Sequence, residues 1–258
     1  MSTYGDRGNI VVLRKRLEWR GVRVAVLPIE FQTTEKELNA CDLIFGGGAQ
    51  DRQQGIVIGD LRKNKGPVLK ELFGKGIPGL FVCGAPQLLG HYYMTGDGKK
   101  LEGLGIFDMV SKHFGKEKQR CIGILIAELR TENSMTKEFQ RKTIVGFENH
   151  GGRTYLHSEL KSQNSNLKAN PKADTQTLPF AWVIKGFGNN GEDGTEGAVY
   201  KNCIATYSHG PFLPKNPHIA DWLIAKALEV KYKKEIKLSL LDDALEWTAH
   251  DAILAQET

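Results

Sequence analysis

The first hundred residues alternate short apolar runs with stretches whose apolar positions recur at helical spacing. Near the start, Ile10, Leu13 and Leu17 share one helical face and basic residues occupy the other, which predicts a helix that ends at Gly21. Strands and helices that alternate in this way form a mostly parallel sheet with right-handed crossovers, so the pattern predicts an α/β fold. The apolar runs predict buried strands over residues 22–29, 41–45 and 77–82.

From residue 101 onward the predicted strands follow one another closely. Runs at 101–107, 121–129 and 143–147 predict antiparallel pairing, a further run at 198–207 predicts a strand, and residues 186–194 predict a hairpin-like turn region. The polar stretch 163–175 has almost nothing to bury, which predicts a surface loop or an insertion. Amphipathic helices are predicted over 217–230 and 239–254. We expect one domain over residues 1–230 and a helical tail over 231–258 that packs on it.

Composition narrows the class of protein. A hydrophobic content of 40% and a charged content of 25% are ordinary for a soluble globular protein. The net charge of +5 comes from Lys and Arg residues that are spread along the chain, which argues against a nucleic-acid partner. The sequence shows neither a bilayer-spanning apolar run nor a signal peptide. The four cysteines are far apart, which argues against disulfides and a zinc site and predicts a cytoplasmic protein.

Cys83 lies where the predicted strand 77–82 turns into a helix. Gly84 and Ala85 suit a tight turn, and Pro86 is tolerated in the first helical turn, where its missing N–H is not needed. The positive end of the helix dipole favours a thiolate at such a position, which is the geometry of a nucleophile elbow. The alternative is a buried cysteine that serves only packing.

Two other features carry chemistry that a thiol nucleophile needs. Gly46–Gly48 follow a strand, and their N–H groups can approach a ligand closely because no side chains intervene. His209 follows a strand and precedes Gly210, and an imidazole near a thiol can act as its base. The spacing of a nucleotide-binding glycine loop is absent, so we expect no nucleotide site on this chain.

Six stretches match the motifs of one enzyme family in family order. The sequence resembles class I glutamine amidotransferases of the cobyric-acid-synthase-like branch and, more narrowly, the GatD subunits of lipid II isoglutaminyl synthase. The resemblance implies a three-layer sandwich around the central sheet, with the first edge strand of the family expected to be missing. The matching stretches are Tyr-Gly-Asp-Arg-Gly-Asn (4–9), Gly-Gly-Gly-Ala-Gln-Asp-Arg (46–52), Cys-Gly-Ala-Pro-Gln (83–87), Leu-Glu-Gly-Leu-Gly (101–105), Gly-Phe-Glu-Asn-His-Gly-Gly-Arg-Thr (146–154) and Tyr-Ser-His-Gly-Pro-Phe-Leu-Pro-Lys-Asn (207–216).

The resemblance implies a glutaminase subunit that hydrolyses L-glutamine through a thioester on Cys83. The ammonia would pass to a MurT-like Mur ligase, which amidates the D-glutamate α-carboxyl of lipid II to D-isoglutamine. ATP and Mg²⁺ are expected on that ligase, and no cofactor or metal is expected on this chain. Lipid II would bring the complex to the inner face of the membrane. The alternatives are an amidotransferase for another synthetase, such as a cobyric-acid type, and a non-catalytic partner-binding subunit.

The family motifs also imply roles for individual residues. Pro211 occupies the position where many relatives carry a glutamate that orients the base. We therefore expect the orienting acid to come from the partner subunit or to be absent. The implied site consists of Cys83 as nucleophile, His209 as base, Gly48 and Gly84 as oxyanion-hole donors, and Arg120, Gln87, Asn149 and His150 as glutamine-binding residues.

Overall fold

The computed structural model describes residues 6–115, 119–130, 139–157 and 177–256, so the predicted polar insertion at 163–175 lies outside the described residues. The helices are α1 (Arg7–Glu18), α2 (Glu35–Asn39), α3 (Asp51–Asp60), α4 (Gly66–Gly74), α5 (Gly84–Leu89), α6 (Pro217–Tyr232) and α7 (Ala244–Leu254). A π-helical segment, Leu61–Lys65, joins α3 to α4. The strands are β1 (Ile44–Gly46), β2 (Gly79–Val82), β3 (Tyr92–Met94), β4 (Lys100–Glu102), β5 (Met109–His113), β6 (Cys121–Leu129), β7 (Thr143–His150), β8 (Gly152–Leu156), β9 (Ala181–Lys185), β10 (Thr195–Glu196), β11 (Ala198–Tyr200) and β12 (Cys203–Thr206).

The central sheet has the strand order β1-β2-β12-β11. β1 and β2 run parallel, as predicted, β12 runs parallel to β2, and β11 pairs antiparallel with β12. The single strand predicted over 198–207 is wrong, because the chain turns at Lys201, whose φ is +51°, and folds back as a β11–β12 hairpin. Parallel pairing places the carboxyl ends of β1, β2 and β12 at one edge of the sheet.

The strand predicted at 22–29 is not formed. Gly21 ends α1 with φ +71°, and the following residues run irregularly along the surface. Val26, Leu27 and Ile29 are all exposed, so neither face of this segment is buried against a layer. β-branched residues favour a strand only where a neighbouring strand and a core accept them, and here β1 is left as the edge of the central sheet.

Helices cover both faces of the central sheet and produce the predicted three layers. Leu80 and Val82 of β2 point into an apolar cluster with side chains of α1 and α6, among them Leu13, Ile219 and Leu223. Phe81, on the opposite face, packs against α4, where its ring meets that of Phe73 edge-on at 5.4 Å between centroids. Strand β2 is buried along its whole length because both of its faces are covered.

Two further sheets flank the central one. The first has the order β10-β9-β6-β7 and is antiparallel throughout, as the closely spaced apolar runs predict. The second has the order β4-β3-β5-β8 and mixes a parallel β3–β5 pair with antiparallel neighbours. The turn region predicted at 186–194 joins β9 to β10, which confirms it as a hairpin connection.

The C-terminal segment is attached to the body of the molecule by a buried arginine. Arg16 of α1 donates to Asp221 of α6 (2.6 Å) and to Asp243 just before α7 (2.6 Å). His250 of α7 contacts Thr143 Oγ1 of β7 at 2.9 Å. Helix α7 begins at Ala244 rather than at residue 239, and it packs on β6 and β7. In the described part of the chain, no helix has the length and apolar character needed to cross a membrane.

Candidate active site

Cys83 occupies a strained turn between β2 and α5. Its φ of +54° and ψ of −98° are unusual for a residue with a side chain, and its N–H donates to the Thr206 carbonyl at 2.9 Å. The strand before it and the helix after it are the ones that the sequence predicts. A positive φ at a cysteine between a buried strand and a helix is the conformation that a nucleophile elbow requires.

The glycine loop after β1 lies directly against this elbow. A Cβ on Gly84 would stand 2.7 Å from the Ala49 carbonyl oxygen, and a Cβ on Gly46 would stand 2.9 Å from the Ala85 Cβ. Both distances are too short for real side chains, so glycine is required on each side of this contact. The loop and the cysteine, which the sequence could only place separately, are therefore in contact.

His209 reaches Cys83 because β12 lies beside β2. His209 follows the end of β12 and forms a β-bridge with Phe147 of β7, in which its N–H donates to the Phe147 carbonyl at 2.6 Å. The His209 side chain is buried, and it lies close enough to Cys83 for the cysteine to raise the pKa of the imidazole. The two residues that the sequence analysis paired are thus brought together.

Asp6 is a member of the site that the sequence analysis missed. Its buried carboxylate holds the His209 ring through Oδ1, 3.4 Å from Nδ1, and accepts the Gly48 N–H on Oδ2 at 2.6 Å. We expected the orienting acid only from a partner subunit, or not at all, and the structure instead places an acid of this chain at the imidazole. Asp6 was within the matched 4–9 stretch, and that position was the available signal.

The segment that carries Asp6 is held by the segment that follows His209. The Asn9 Oδ1 accepts the Leu213 N–H at 2.8 Å, and a Cβ on Gly8 would overlap the Pro211 ring. Pro211 therefore packs on the backbone of the N-terminal segment. Pro211 and Asp6 therefore belong to one local arrangement around His209.

Two opposing effects set the protonation of His209. Burial lowers the pKa of His209, but its hydrogen bonds to Asp6 and Cys83 and the negative charges of both groups outweigh burial and raise this pKa to about 9. At neutral pH the ring is therefore an imidazolium, with the Asp6 carboxylate on one side and the cysteine sulfur on the other. Such a ring can both balance a thiolate and release a proton to a leaving group.

Gln87 lies in a buried hydrogen-bond network under the elbow. Its Oε1 accepts from Gln54 Nε2 at 2.8 Å, and its Nε2 donates to the Tyr207 hydroxyl at 3.1 Å. The same hydroxyl contacts Thr154 Oγ1 at 2.7 Å. Both polar atoms of the Gln87 amide thus bind protein groups, which gives this residue a scaffolding role here, and its predicted contact with glutamine stays a prediction.

His150 is buried and stacks on Tyr207. The two ring centroids are 3.7 Å apart, and His150 Nδ1 donates to the Gly152 carbonyl at 2.7 Å. His150 Nε2 faces Glu148 Oε2 at 3.4 Å. The structure therefore places His150 in the support of the site rather than on an open surface.

Arg120, which is exposed, and Asn149 of β7 form a hydrogen-bonded pair. The Arg120 Nη2 donates to the Asn149 Oδ1 at 2.8 Å and to its carbonyl oxygen at 3.3 Å. Asn149 lies two residues beyond Phe147 on β7, about 7 Å along the strand and on the same face. The guanidinium is thus held by Asn149 at the surface, where Arg120 is exposed.

The comparisons with known proteins agree with this geometry. Residues 1–217 match the CobB/CobQ-like glutamine amidotransferase domain. The chain belongs to this family. It is 42% identical over 231 residues to the lipid II isoglutaminyl synthase (glutamine-hydrolyzing) subunit GatD of Staphylococcus aureus strain N315, which covers 90% of this chain and 82% of the relative. The sequence-based assignment to this family is therefore confirmed.

A second relative and a solved structure agree with the family. The GatD subunit of Streptococcus pneumoniae strain ATCC BAA-255 / R6 is 35% identical over 245 residues, covering 95% of this chain and 83% of the relative. The glutaminase domain of Trypanosoma brucei CTPS, solved with bound acivicin, superimposes with a TM-score of 0.56 at 12% identity and covers 91% of each chain. At that identity the likeness concerns the fold, and it confirms the α/β amidotransferase architecture.

Proposed function

We propose that this CobB/CobQ-like family member is the glutaminase subunit of a lipid II isoglutaminyl synthase. The observation that carries the proposal is the Cys83 elbow beside a buried His209 that Asp6 holds and whose pKa the cysteine helps to raise. The two GatD relatives, each matched over most of its length, support the cell-wall assignment.

In the first half of the proposed reaction, the Cys83 sulfur attacks the side-chain amide carbon of glutamine. The carbonyl π electrons move to the oxygen, and the Gly84 N–H stabilises the resulting oxyanion. His209 then donates its proton to the amide nitrogen, the C–N bond breaks, and ammonia leaves behind a thioester on Cys83.

In the second half, water replaces the sulfur. His209, now neutral, takes a proton from the water, whose oxygen bonds to the thioester carbon. The C–S bond breaks, glutamate leaves, and the site returns to a thiolate and an imidazolium. The balance is one glutamine and one water consumed, with one glutamate and one ammonia formed.

The other predicted site residues take supporting roles in this proposal. Arg120, held by Asn149, binds the α-carboxylate of glutamine, for which a guanidinium fork is well suited. The Gly48 N–H binds Asp6 in this structure, so it joins the oxyanion hole only by turning away from that carboxylate. Gln87 and His150 support Tyr207, which stands beside the cysteine.

The proposed partner is a MurT-like Mur ligase that receives the ammonia and amidates the D-glutamate of lipid II. ATP and Mg²⁺ act on that subunit in the proposal. The CobB/CobQ-like family description keeps a second acceptor class open, a cobyric-acid-type amidation by another synthetase.

Glutamine hydrolysis by the complex with the cognate ligase tests the proposal. We expect glutamate and ammonia from the wild type, a loss of activity of at least about 10³-fold in Cys83→Ala, and amidated lipid II by mass spectrometry. If the wild type and Cys83→Ala are equally inactive, with the complex intact, the chain is a non-catalytic binding subunit. Glutamine hydrolysis without amidation of lipid II would indicate that the chain supplies ammonia to another synthetase.

A further inference from the structure

Two histidines and an aspartate converge on the β4-β3-β5-β8 sheet, at the far end of α5 from Cys83. His91 lies between α5 and β3, Asp108 directly precedes β5, and His157 directly follows β8. The His91 Nε2 and the His157 Nδ1 stand 2.8 Å and 2.6 Å from the same oxygen, Oδ1 of Asp108. The two rings stack with centroids 5.1 Å apart.

Backbone hydrogen bonds hold the three residues in place. The His91 N–H donates to the Met109 carbonyl at 2.8 Å, and the His157 N–H donates to the Asp108 carbonyl at 3.1 Å. The Asp108 N–H donates to Thr177 Oγ1 at 2.7 Å. The backbone positions of the three residues are therefore fixed by the sheet. Binding a ligand between their side chains would cost little conformational entropy.

The donor set is one that divalent transition metals prefer. Imidazole nitrogen and carboxylate oxygen bind Zn²⁺ at about 2.0–2.2 Å, and two histidines with one carboxylate leave a position for water. The ligand atoms here all lie within 4.8 Å of one another. Around a tetrahedral ion the ligand atoms would stand about 3.4 Å apart, so each imidazole nitrogen needs to move away from the Asp108 oxygen by less than about 1 Å. The side chains are 35–43% exposed, which leaves room for that adjustment and for the water.

We infer that His91, Asp108 and His157 form a structural site for a divalent transition-metal ion of the Zn²⁺ type. The ion would connect the segments that precede β3 and β5 to the end of β8. The site is separate from the Cys83–His209 pair and does not depend on the proposed function. No metal is predicted on this chain from the sequence, because the cysteines are far apart and the family resemblance implies none.

Isothermal titration calorimetry of chelator-treated protein with Zn²⁺ tests the inference. The absorption spectrum of bound Co²⁺ reports the type of ligand. We expect one ion per chain with a nitrogen- and oxygen-ligated Co²⁺ spectrum and no thiolate band. His91→Ala and Asp108→Asn should each weaken Zn²⁺ binding at least tenfold, because even supporting residues around a metal change affinity by about 10–100-fold. Zn²⁺ should also raise the melting temperature of the wild type but not of these variants.

Two further variants make the result specific. Asparagine at position 157 can keep a hydrogen bond to Asp108 but is a poor zinc ligand, so His157→Asn should fold normally and lose the ion. Glu102→Gln removes an exposed carboxylate from the same sheet and should bind Zn²⁺ like the wild type. The inference is wrong if the wild type shows no saturable Zn²⁺ binding, or if the histidine variants bind Zn²⁺ as tightly as the wild type. The three residues would then form only a hydrogen-bonded cluster that joins their segments.

Discussion

At the scale of single residues, the site depends on one buried carboxylate. Asp6 receives the Gly48 amide on one oxygen and holds the His209 ring with the other. A buried charge is stable only when such donors surround it, and here the donors are the glycine loop and the proposed base. The same carboxylate therefore fixes the loop and keeps His209 protonated.

Asp6→Asn is expected to lower kcat for glutamine hydrolysis by about 10² or more, because an amide neither orients nor stabilises the imidazolium. KM should change little, since Asp6 does not touch glutamine. The pKa of His209 should fall from about 9, because the hydrogen bond to Asp6 is the largest effect that raises it. Kinetics and NMR titration of the His209 ring provide the measurements.

The matched control is Asp42→Asn, which removes an exposed aspartate paired with Lys231. Surface pairs of this kind contribute about 0–1 kcal/mol, so kcat and the His209 titration should stay at their wild-type values. Wild-type kcat and an unchanged His209 pKa in Asp6→Asn would show that Asp6 does not position the base.

At the scale of elements, the contact between the glycine loop and α5 determines the shape of the site. Gly84→Ala would place its Cβ 2.7 Å from the Ala49 carbonyl oxygen, a backbone atom that cannot move alone. We expect a loss of about 1–3 kcal/mol in unfolding free energy, as for other overpacked sites. Glutaminase activity should fall with it, because the loop is pushed away from Cys83. Urea unfolding and the glutaminase assay measure the two effects.

Gly55→Ala is the control for that substitution. Gly55 lies inside α3, and a Cβ there would meet no atom within 4 Å. Alanine in a helix interior is favoured over glycine by about 0.5–1 kcal/mol, so this variant should be slightly more stable and fully active. Equal behaviour of the two alanine variants would contradict the contact between loop and elbow.

A second buried carboxylate supports the strand that leads to His209. Glu196 of β10 accepts the Thr206 hydroxyl at 2.5 Å and the Tyr207 N–H at 3.0 Å. Burial, assisted by the negative charge of Glu148, raises the pKa of Glu196 to about 7 despite these hydrogen bonds. Because the folded pKa exceeds the unfolded one, this group stabilises the fold below about pH 4 and that stabilisation is lost as the pH rises through 7.

Glu196→Gln should therefore gain stability relative to the wild type as the pH rises from 5 to 8, by up to roughly 3 kcal/mol. Glutamine can still accept both hydrogen bonds and never has to ionise. Urea unfolding across this pH range measures the difference. Glu102→Gln, which removes an exposed carboxylate, should show no such gain, and a Glu196→Gln difference that stays flat with pH would refute the assignment.

At the scale of the whole molecule, Arg16 connects the two ends of the described chain. It is buried and bound to both Asp221 and Asp243, and these partners raise its pKa further above an already high value against the effect of burial. Arg16→Ala leaves Asp243 without this partner and is expected to cost about 3 kcal/mol of unfolding free energy. Arg14→Ala, on the same helix but exposed, should stay within about 0.5 kcal/mol. Limited proteolysis should release the segment around α7 only in the Arg16 variant, and equal stabilities would contradict the anchor.

Local hydrophobic patterns predicted most of the helices and strands, but not in every case which strands pair with one another. The elbow at Cys83, the parallel strands around it and the late antiparallel sheet follow from apolar periodicity and turn residues. The run at 22–29 has the composition of a strand and forms none, because strand formation needs a paired neighbour. The run at 198–207 reads as one strand and folds as two, because a turn at Lys201 leaves little local signal.

The sequence by itself determined the family and the α/β class and pointed to Cys83 and His209 as the candidate nucleophile and base, because motifs and periodicity are local properties of the chain. Only the tertiary structure decided that Asp6 holds His209, that Gln87 and His150 support Tyr207, and that His91, Asp108 and His157 meet. Those residues belong to separate elements, and their distances depend on how the sheets pack. The packing of the sheets depends on many contacts between residues that are far apart in the sequence, so it cannot be predicted from any short stretch of the chain.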